Sequence, residues 1–467
     1  MVYTKSEKAV YAQQQTLESL LLNHPLDCPV CDKAGECWLQ DYSFHYGRPY
    51  SRMIDEKNQP PNKPHISDKI TLFTDRCIMC SRCVRFTREI SGQAELHIVD
   101  RGSHAEIDIF PGVPLNNKLA GNVVDLCPVG ALCSKDFLYK QRVWYLKTNN
   151  SVCADCSTGC SIHVDHNKDI VYRLRPRENP QAQGYFMCDD GRFGYHYINA
   201  HDRLRRPTVR LDKEPVSLPW QNVVGSLQNE LLECAGKNGD AIAGVLSPFM
   251  TCEEAFLLAK FLKGLSGQVR LALGPVPIVG EDDTYPKDRR GNPTGDVLFT
   301  IRKEKCPNRK GVEEILRHFQ GEIIPFDDIL RAASEENLQA VYIAGGYPPR
   351  EWRWITEEQG EALSKVPLLV VQDLFPSAAS QVARYVLPGA AFAEKDGTYV
   401  NHAGLAQHLE RCVAPPHDCR NDAQIYFDLL DRRGLPHVPT IRKELAEEIP
   451  YFAGLGDGIG EHGVLLG

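Results

Sequence analysis

Twelve of the seventeen cysteines in this 467-residue chain lie before residue 189, and they lie in groups. This grouping constrains the fold more than any other feature. Thiols two or three residues apart, repeated along a chain, fold around something that thiolates bind. The N-terminal "MVYTKSEKAV" has no apolar export segment. A reducing compartment is therefore expected, where clustered cysteines bind metal rather than pair as disulfides.

The second group is the clearest. "DRCIMCSRCVRF" places Cys77, Cys80 and Cys83 at C-x2-C-x2-C spacing, and the remote "DLCPVGALC" places Cys127 before Pro128. This is the bacterial ferredoxin pattern, in which three close thiolates and one remote Cys-Pro hold a cubane cluster. The position four residues after Cys83 is Thr87, and no second run follows, so one cluster is expected. Zinc is the alternative, but it usually takes paired C-x2-C arms. The third group is Cys153, Cys156 and Cys160 with Cys188 farther on. It suits a [4Fe–4S] cluster, with zinc or plain buried thiols as alternatives.

The first group, "HPLDCPVCDKAGEC", sets His24 with Cys28, Cys31 and Cys37. Locally this fits a Cys3His zinc site as well as a mixed-ligand cluster. Two iron–sulfur motifs in the same chain favour the cluster, because several clusters in one chain let electrons hop. A neutral histidine replaces an anionic thiolate, so reduction becomes easier, as at His-ligated Rieske iron. Its second nitrogen can couple the electron to a proton.

Outside the cysteine groups, residues 5–23 have helical periodicity that would deliver His24, and Pro25 stops the helix. A Pro-rich linker covers 57–65. From 241 the signals become α/β. A strand at 241–247 leads to a helix at 252–265, capped by Thr251 and Glu254, and a strand at 268–273 makes a βαβ unit. The pattern recurs at 311–319, 340–346 and 367–374, whereas 274–308 reads as a loop. The C-terminal "GLGDGIGEHG" is expected to be mobile. "RLRRP" (203–207) reads as a docking face or a solvated linker, and His163 and His166 as surface or packing residues. Cys133 reads as a packing cysteine, and Cys234, Cys252, Cys306, Cys412 and Cys419 as packing or surface. A net charge of −8 argues against nucleic-acid binding. No apolar run reaches the length of a membrane span. No phosphate-cradling glycine motif, catalytic triad or paired-carboxylate site is present.

"NHPLDCPVCDKAGECWLQD", "DRCIMCSRCVRF", "DLCPVGAL" and "AFAEKDGTYVNHAGLAQ" (391–407) resemble the large iron–sulfur subunit of bacterial NADH–quinone oxidoreductase, respiratory complex I. The resemblance implies α+β iron–sulfur modules followed by an α/β domain similar to degenerate molybdopterin oxidoreductases. The expected division is a His/Cys3 module at 1–66, a ferredoxin-like single-cluster domain at 67–146, and a molybdopterin-oxidoreductase-type [4Fe–4S] domain at 147–206. An α/β domain without cofactor follows at 207–435, then a tail at 436–467. The resemblance implies three [4Fe–4S] clusters on the twelve residues above. Those on His24/Cys28/Cys31/Cys37 and on Cys77/Cys80/Cys83/Cys127 would lie on the electron path. The one on Cys153/Cys156/Cys160/Cys188 is found in some members only, off the main path. Family members normally begin with a [2Fe–2S] domain, yet no cysteine precedes Cys28. That domain is expected on another polypeptide, unless the chain is a fragment. The implied partners are the other peripheral-arm subunits, including the flavin- and NADH-binding one. The implied location is peripheral, on the cytoplasmic side of the bacterial inner membrane. The alternatives are a subunit of a molybdenum or tungsten enzyme such as NAD-linked formate dehydrogenase, a related hydrogenase, or a zinc-bearing scaffold. Thr87 and the short α/β region speak against the molybdenum enzyme.

Overall fold

Three apolar runs, "IAGVL", "AVYIA" and "LLVVQD", form the centre of an eight-stranded sheet in the computed structural model, which describes residues 2–211, 214–350 and 352–467. The order across the sheet is Ile324–Pro325, Arg270–Leu273, Ile242–Leu246, Ala340–Ala344, Leu368–Asp373, Tyr385–Pro388, Thr208–Leu211 and Glu214–Ser217. The first six strands pair in parallel, and the last two join as an antiparallel extension. In chain order the parallel strands run third, second, first, fourth, fifth, sixth, the doubly wound arrangement. Both faces are covered, which explains the continuous apolar runs. Tyr342 points into one core with Phe256 and Tyr426, while Val341 and Ile343 point into the other with Ile329 and Leu363. The helix Cys252–Leu265 starts with the expected capping box between Thr251 and Glu254.

The cysteine-rich half is built from short pieces around a separate core. The helix Glu7–Leu21 is capped by Ser6 and buries Leu17, whereas Val10 is exposed. Lys57 returns from the Pro-rich segment to donate to the carbonyls of Leu21 and Leu22, satisfying the helix end. Strand Ile70–Leu72 pairs with Leu132–Ser134, and Leu96–Val99 pairs with Glu106–Ile109. Strands Lys147–Val152, Ser161–Asn167 and Ile170–Pro176 form an antiparallel sheet.

Four expectations need correction. Residues 274–308 are not a plain loop: Asp283–Tyr285 and Phe299–Ile301 pair antiparallel, and Tyr285 and Phe299 join the core of the cysteine modules. Phe392, Tyr399 and Leu409 join the same core, so the expected 207–435 division does not separate cleanly from the iron–sulfur modules. The segment 436–467 is not a detached tail. Its helix Val438–Glu448 buries Ile441 and Leu445, Phe452 is fully buried, and Val464–Leu465 pairs with Leu405–Leu409. "RLRRP" is not wholly solvated, because Arg203 is buried and bidentate on Glu394.

Candidate metal centres

The ferredoxin-like loop owes its shape to two non-glycine residues in the left-handed region, Met79 (φ 53°) and Ser81 (φ 58°). The turn at Met79 aims its N–H at the Cys77 sulfur, 3.4 Å away. Ser81 then starts the helix Arg82–Glu89, whose first turn carries Cys83. The short helix Asn122–Leu126 delivers Cys127 from the other side. Cys77, Cys80, Cys83 and Cys127 line one recessed cavity with Leu72, Ile107 and Pro128. Burial pushes the Cys77 thiol up to about 11 and the Cys83 thiol up to about 12. Both are protonated at neutral pH, so any metal bound there would have to displace their protons.

In the first group, a single turn at Cys28–Val30 places Cys28 and Cys31, and Cys37 precedes the helix Trp38–Tyr46. Arg142 donates to the carbonyls of both Cys31 (3.1 Å) and Cys28 (3.0 Å), closing the loop. Cys31 and Cys37 are buried and Cys28 is exposed. The Nδ1 atom of His24 is buried with no hydrogen-bond partner among the described residues. Burial lowers the pKa of its imidazole and so favours the neutral form a metal ligand needs. An orphaned neutral imidazole nitrogen, followed in the chain by the thiols of Cys28, Cys31 and Cys37, is by its chemistry a donor set that fits a mixed His/Cys cluster.

In the third group, Cys153, Cys156, Cys160 and Cys188 are all buried, and burial pushes all four thiols up. The Gly191 N–H points at the Cys188 sulfur at 3.3 Å. A Cβ on Gly191 would lie 2.8 Å from the Cys153 sulfur, so only glycine lets the chain approach. The loop is clamped from far along the chain. Asn401 donates to the Thr158 carbonyl (3.0 Å), the backbone of His402 to that of Ser157 (3.0 Å), and Gln407 to that of Gly159 (2.6 Å). Ser157 also donates to the Glu304 carbonyl (3.0 Å), and the Thr158 hydroxyl to that of Thr300 (2.6 Å). Among the described residues, no three His, Cys, Asp or Glu side chains converge tightly enough to hold one metal ion. Cys77, Cys80, Cys83 and Cys127 instead stand around one shared cavity.

The three sites are joined through the Cys127 loop. The Pro128 carbonyl accepts the N–H of Trp38, next to Cys37, at 3.1 Å. Gly130 packs so closely on the first site that a Cβ there would collide with the Cys31 sulfur. On the other side, Asn122 exchanges two hydrogen bonds with the backbone of Met187, next to Cys188. Cys133 is buried beside the first two sites, with burial and the neighbouring Cys31 and Cys127 pushing its thiol up to about 12. Sequence reasoning missed Gly130, Asn401, His402 and Gln407 as supports, because each acts on a partner distant in the chain.

Gly130→Ala should drive a methyl group into the Cys31 sulfur. With a [4Fe–4S] cluster on the expected ligands His24, Cys28, Cys31 and Cys37, the result is loss of that cluster alone, about four irons per chain, read by iron analysis with electron paramagnetic resonance (EPR). Full iron content would show that the loop can shift.

Residues 13–52 match the NADH-ubiquinone oxidoreductase-G iron-sulfur binding region. Residues 67–133 match the ferredoxin-like domain of NADH-quinone oxidoreductase subunit 3. Residues 146–200 match the molybdopterin oxidoreductase Fe4S4 domain, and 323–432 match molybdopterin oxidoreductase. The chain is 36% identical to the NADH-quinone oxidoreductase G subunit of Streptomyces coelicolor over 55% of its own length and 30% of that protein's. It is 26% identical to the corresponding G subunit of Rickettsia bellii over 98% of its own length and 80% of that protein's. It is 37% identical to the NADPH-Fe(3+) oxidoreductase subunit alpha of Geobacter sulfurreducens over 57% of its own length and 31% of that protein's. The chain therefore spans about a third of the length of two of these relatives and most of the third. Among solved structures, acetylene hydratase from Pelobacter acetylenicus superposes with a TM-score of 0.42 at 9% identity, over 65% of this chain and 70% of that one.

Proposed function

We infer that this chain, a homologue of the G subunits of NADH-quinone oxidoreductases, is an electron-transfer subunit that relays electrons from a flavin-bearing partner toward quinone. Its ligands on this reading are His24, Cys28, Cys31 and Cys37 for the first [4Fe–4S] cluster, and Cys77, Cys80, Cys83 and Cys127 for the second. Cys153, Cys156, Cys160 and Cys188 hold the third. Each bound cluster supplies a one-electron carrier. The observation that carries the reading is the Cys127 loop. It brings a ligand to the second site, a wall to the first at Gly130, and a hydrogen bond to the residue after Cys37. Two stations built against one loop are close, as a relay requires.

The protein's part is to hold the stations and exclude water from them. The third site is buried throughout, whereas the first two each keep one exposed cysteine, Cys28 and Cys80. In the α/β domain, the crevice beyond the carboxyl ends of Ile242–Leu246 and Ala340–Ala344 is where such a sheet would take a ligand. Phe249, Tyr347 and Trp354 pack there, with Tyr347 stacked on Trp354 at 5.1 Å. That filling supports a reading without molybdopterin. No helix among the described residues is long and apolar enough to cross a membrane. A peripheral place on the cytoplasmic side of the bacterial inner membrane, beside other peripheral-arm subunits, completes the reading.

The test is reduction in the native complex. NADH should bleach the visible iron–sulfur absorbance of the complex but leave the isolated chain unreduced, while dithionite reduces both. Direct reduction of the isolated chain by NADH would contradict the reading. His24→Cys should keep a cluster but lower its potential, by ~59 mV for each tenfold change in the one-electron equilibrium. An unchanged potential in a redox titration would remove His24 from the ligand set. The Geobacter relative's name favours one second reading, the same relay ending on ferric iron. Comparing ubiquinone and ferric citrate as acceptors for the native complex separates the two.

A further inference from the structure

We propose that Arg76 is a fixed cation that raises the reduction potential of the cluster held by His24, Cys28, Cys31 and Cys37, a role that rests on the ligand assignment above. Arg76 directly precedes Cys77, a ligand of the second site, but its side chain turns toward the first. It is 4% exposed and donates twice to the Asp27 carboxylate, from Nε at 3.0 Å and from Nη2 at 2.8 Å. Asp27 lies between His24 and Cys28, so this pair locks the two cysteine loops together. The guanidinium also covers the Phe73 ring at 4.0 Å.

Two further observations point from Arg76 to a ligand. Its Nη1 is buried and has no acceptor among the described residues. Its charge also acts on His24 and Cys31, both ligands of the first site, and on Cys133 beside that site. A buried arginine whose Nη1 amino group has no acceptor is costly unless something anionic accepts it. Asp27 satisfies one edge of the guanidinium, and a sulfur of the bound cluster would satisfy the other. One-electron reduction adds one negative charge to that cluster, with no bond or proton exchanged. A buried cation held at fixed distance stabilises the reduced form more than the oxidised one. Histidine ligation and Arg76 then act in the same direction. The first station is more easily reduced than its thiolate count alone would make it.

The experiment is an EPR-monitored redox titration of the full chain, with mediators and dithionite, on Arg76→Met, Arg76→Lys and Asp27→Asn. Arg76→Met should lower the potential of the first cluster by about tenfold in the reduction equilibrium, ~59 mV, and shift the second cluster less. Arg76→Lys, which keeps the charge, should recover part of the shift. Asp27→Asn breaks the same ion pair but removes a negative charge, so it should move the potential upward. Opposite signs for the two ion-pair variants identify a charge effect, because a merely structural role would move both the same way. Equal or same-sign shifts would overturn the inference. If Arg76→Met does not fold, the upward shift of Asp27→Asn, against a smaller downward shift of Arg76→Lys, decides it. A wild-type chain without the first cluster's signal would overturn the ligand assignment itself, and this inference with it.

Discussion

Cys127→Ala should cost the chain its second cluster, with iron falling from about twelve to about eight atoms per chain. Electron throughput in the native complex should then fall by ~100-fold or more, since changes outside the ligand set alone cost metal sites 10–100-fold. On the proposed assignment Cys127 is the remote ligand of its site, so the local Cys77–Cys83 loop cannot replace it. The substitution also sits in the loop that packs on the first site, where the Pro128 carbonyl and Gly130 meet Trp38 and Cys31. EPR on the variant should therefore show the first cluster's signal broadened or shifted as well. Cys160→Ala is the contrast. It should remove the third cluster and a similar amount of iron while leaving throughput close to wild type, because that station is expected to lie off the path. NADH oxidation coupled to quinone reduction measures both. Equal losses in the two variants would place the third cluster on the path.

The second large effect is expected far from any cysteine group. Lys395 is buried between Glu254 (2.8 Å) and Asp422 (3.1 Å), joining the starts of the helices Cys252–Leu265 and Asp422–Leu429. Burial pushes the Glu254 carboxyl up to about 7 against the pull of this lysine. Lys395→Met leaves two buried carboxylates without their cation, a loss that costs ~3–5 kcal/mol in comparable buried pairs. Urea melts should show that drop. Most of it should return when Glu254→Gln and Asp422→Asn accompany the lysine change, because an all-neutral replacement has no charge left unpaired. A silent Lys395→Met would mean that the triad contributes nothing to stability.

Lys395 also shows where sequence reading stops. The cysteine groups are visible in the sequence because at least three of the proposed ligands of each site lie within fourteen residues, so spacing alone marks them. The helix Cys252–Leu265 was legible for the same reason, its capping box being a four-residue signal. What escaped was long-range. The stretch 391–407 resembled a family signature, but its work is to hold distant partners. Glu394 takes Arg203, Lys395 takes Glu254, and Asn401, His402 and Gln407 clamp the third cysteine loop. None of these pairings leaves a periodic or local trace. The Gly-rich end looked mobile because glycine is common in loops, yet Phe452 and Val464 on either side pack into the core. Arg76 carries no local signal of its role either, because its partner Asp27 lies forty-nine positions away.

Whether the twelve proposed ligands hold iron–sulfur clusters or zinc is decided most directly by metal and acid-labile sulfide analysis of the anaerobically purified chain. About twelve iron atoms are expected, with a matching amount of sulfide, brown absorbance that dithionite bleaches, and no stoichiometric zinc. Zinc at about one atom per cysteine group, with neither sulfide nor colour, would contradict the cluster assignment.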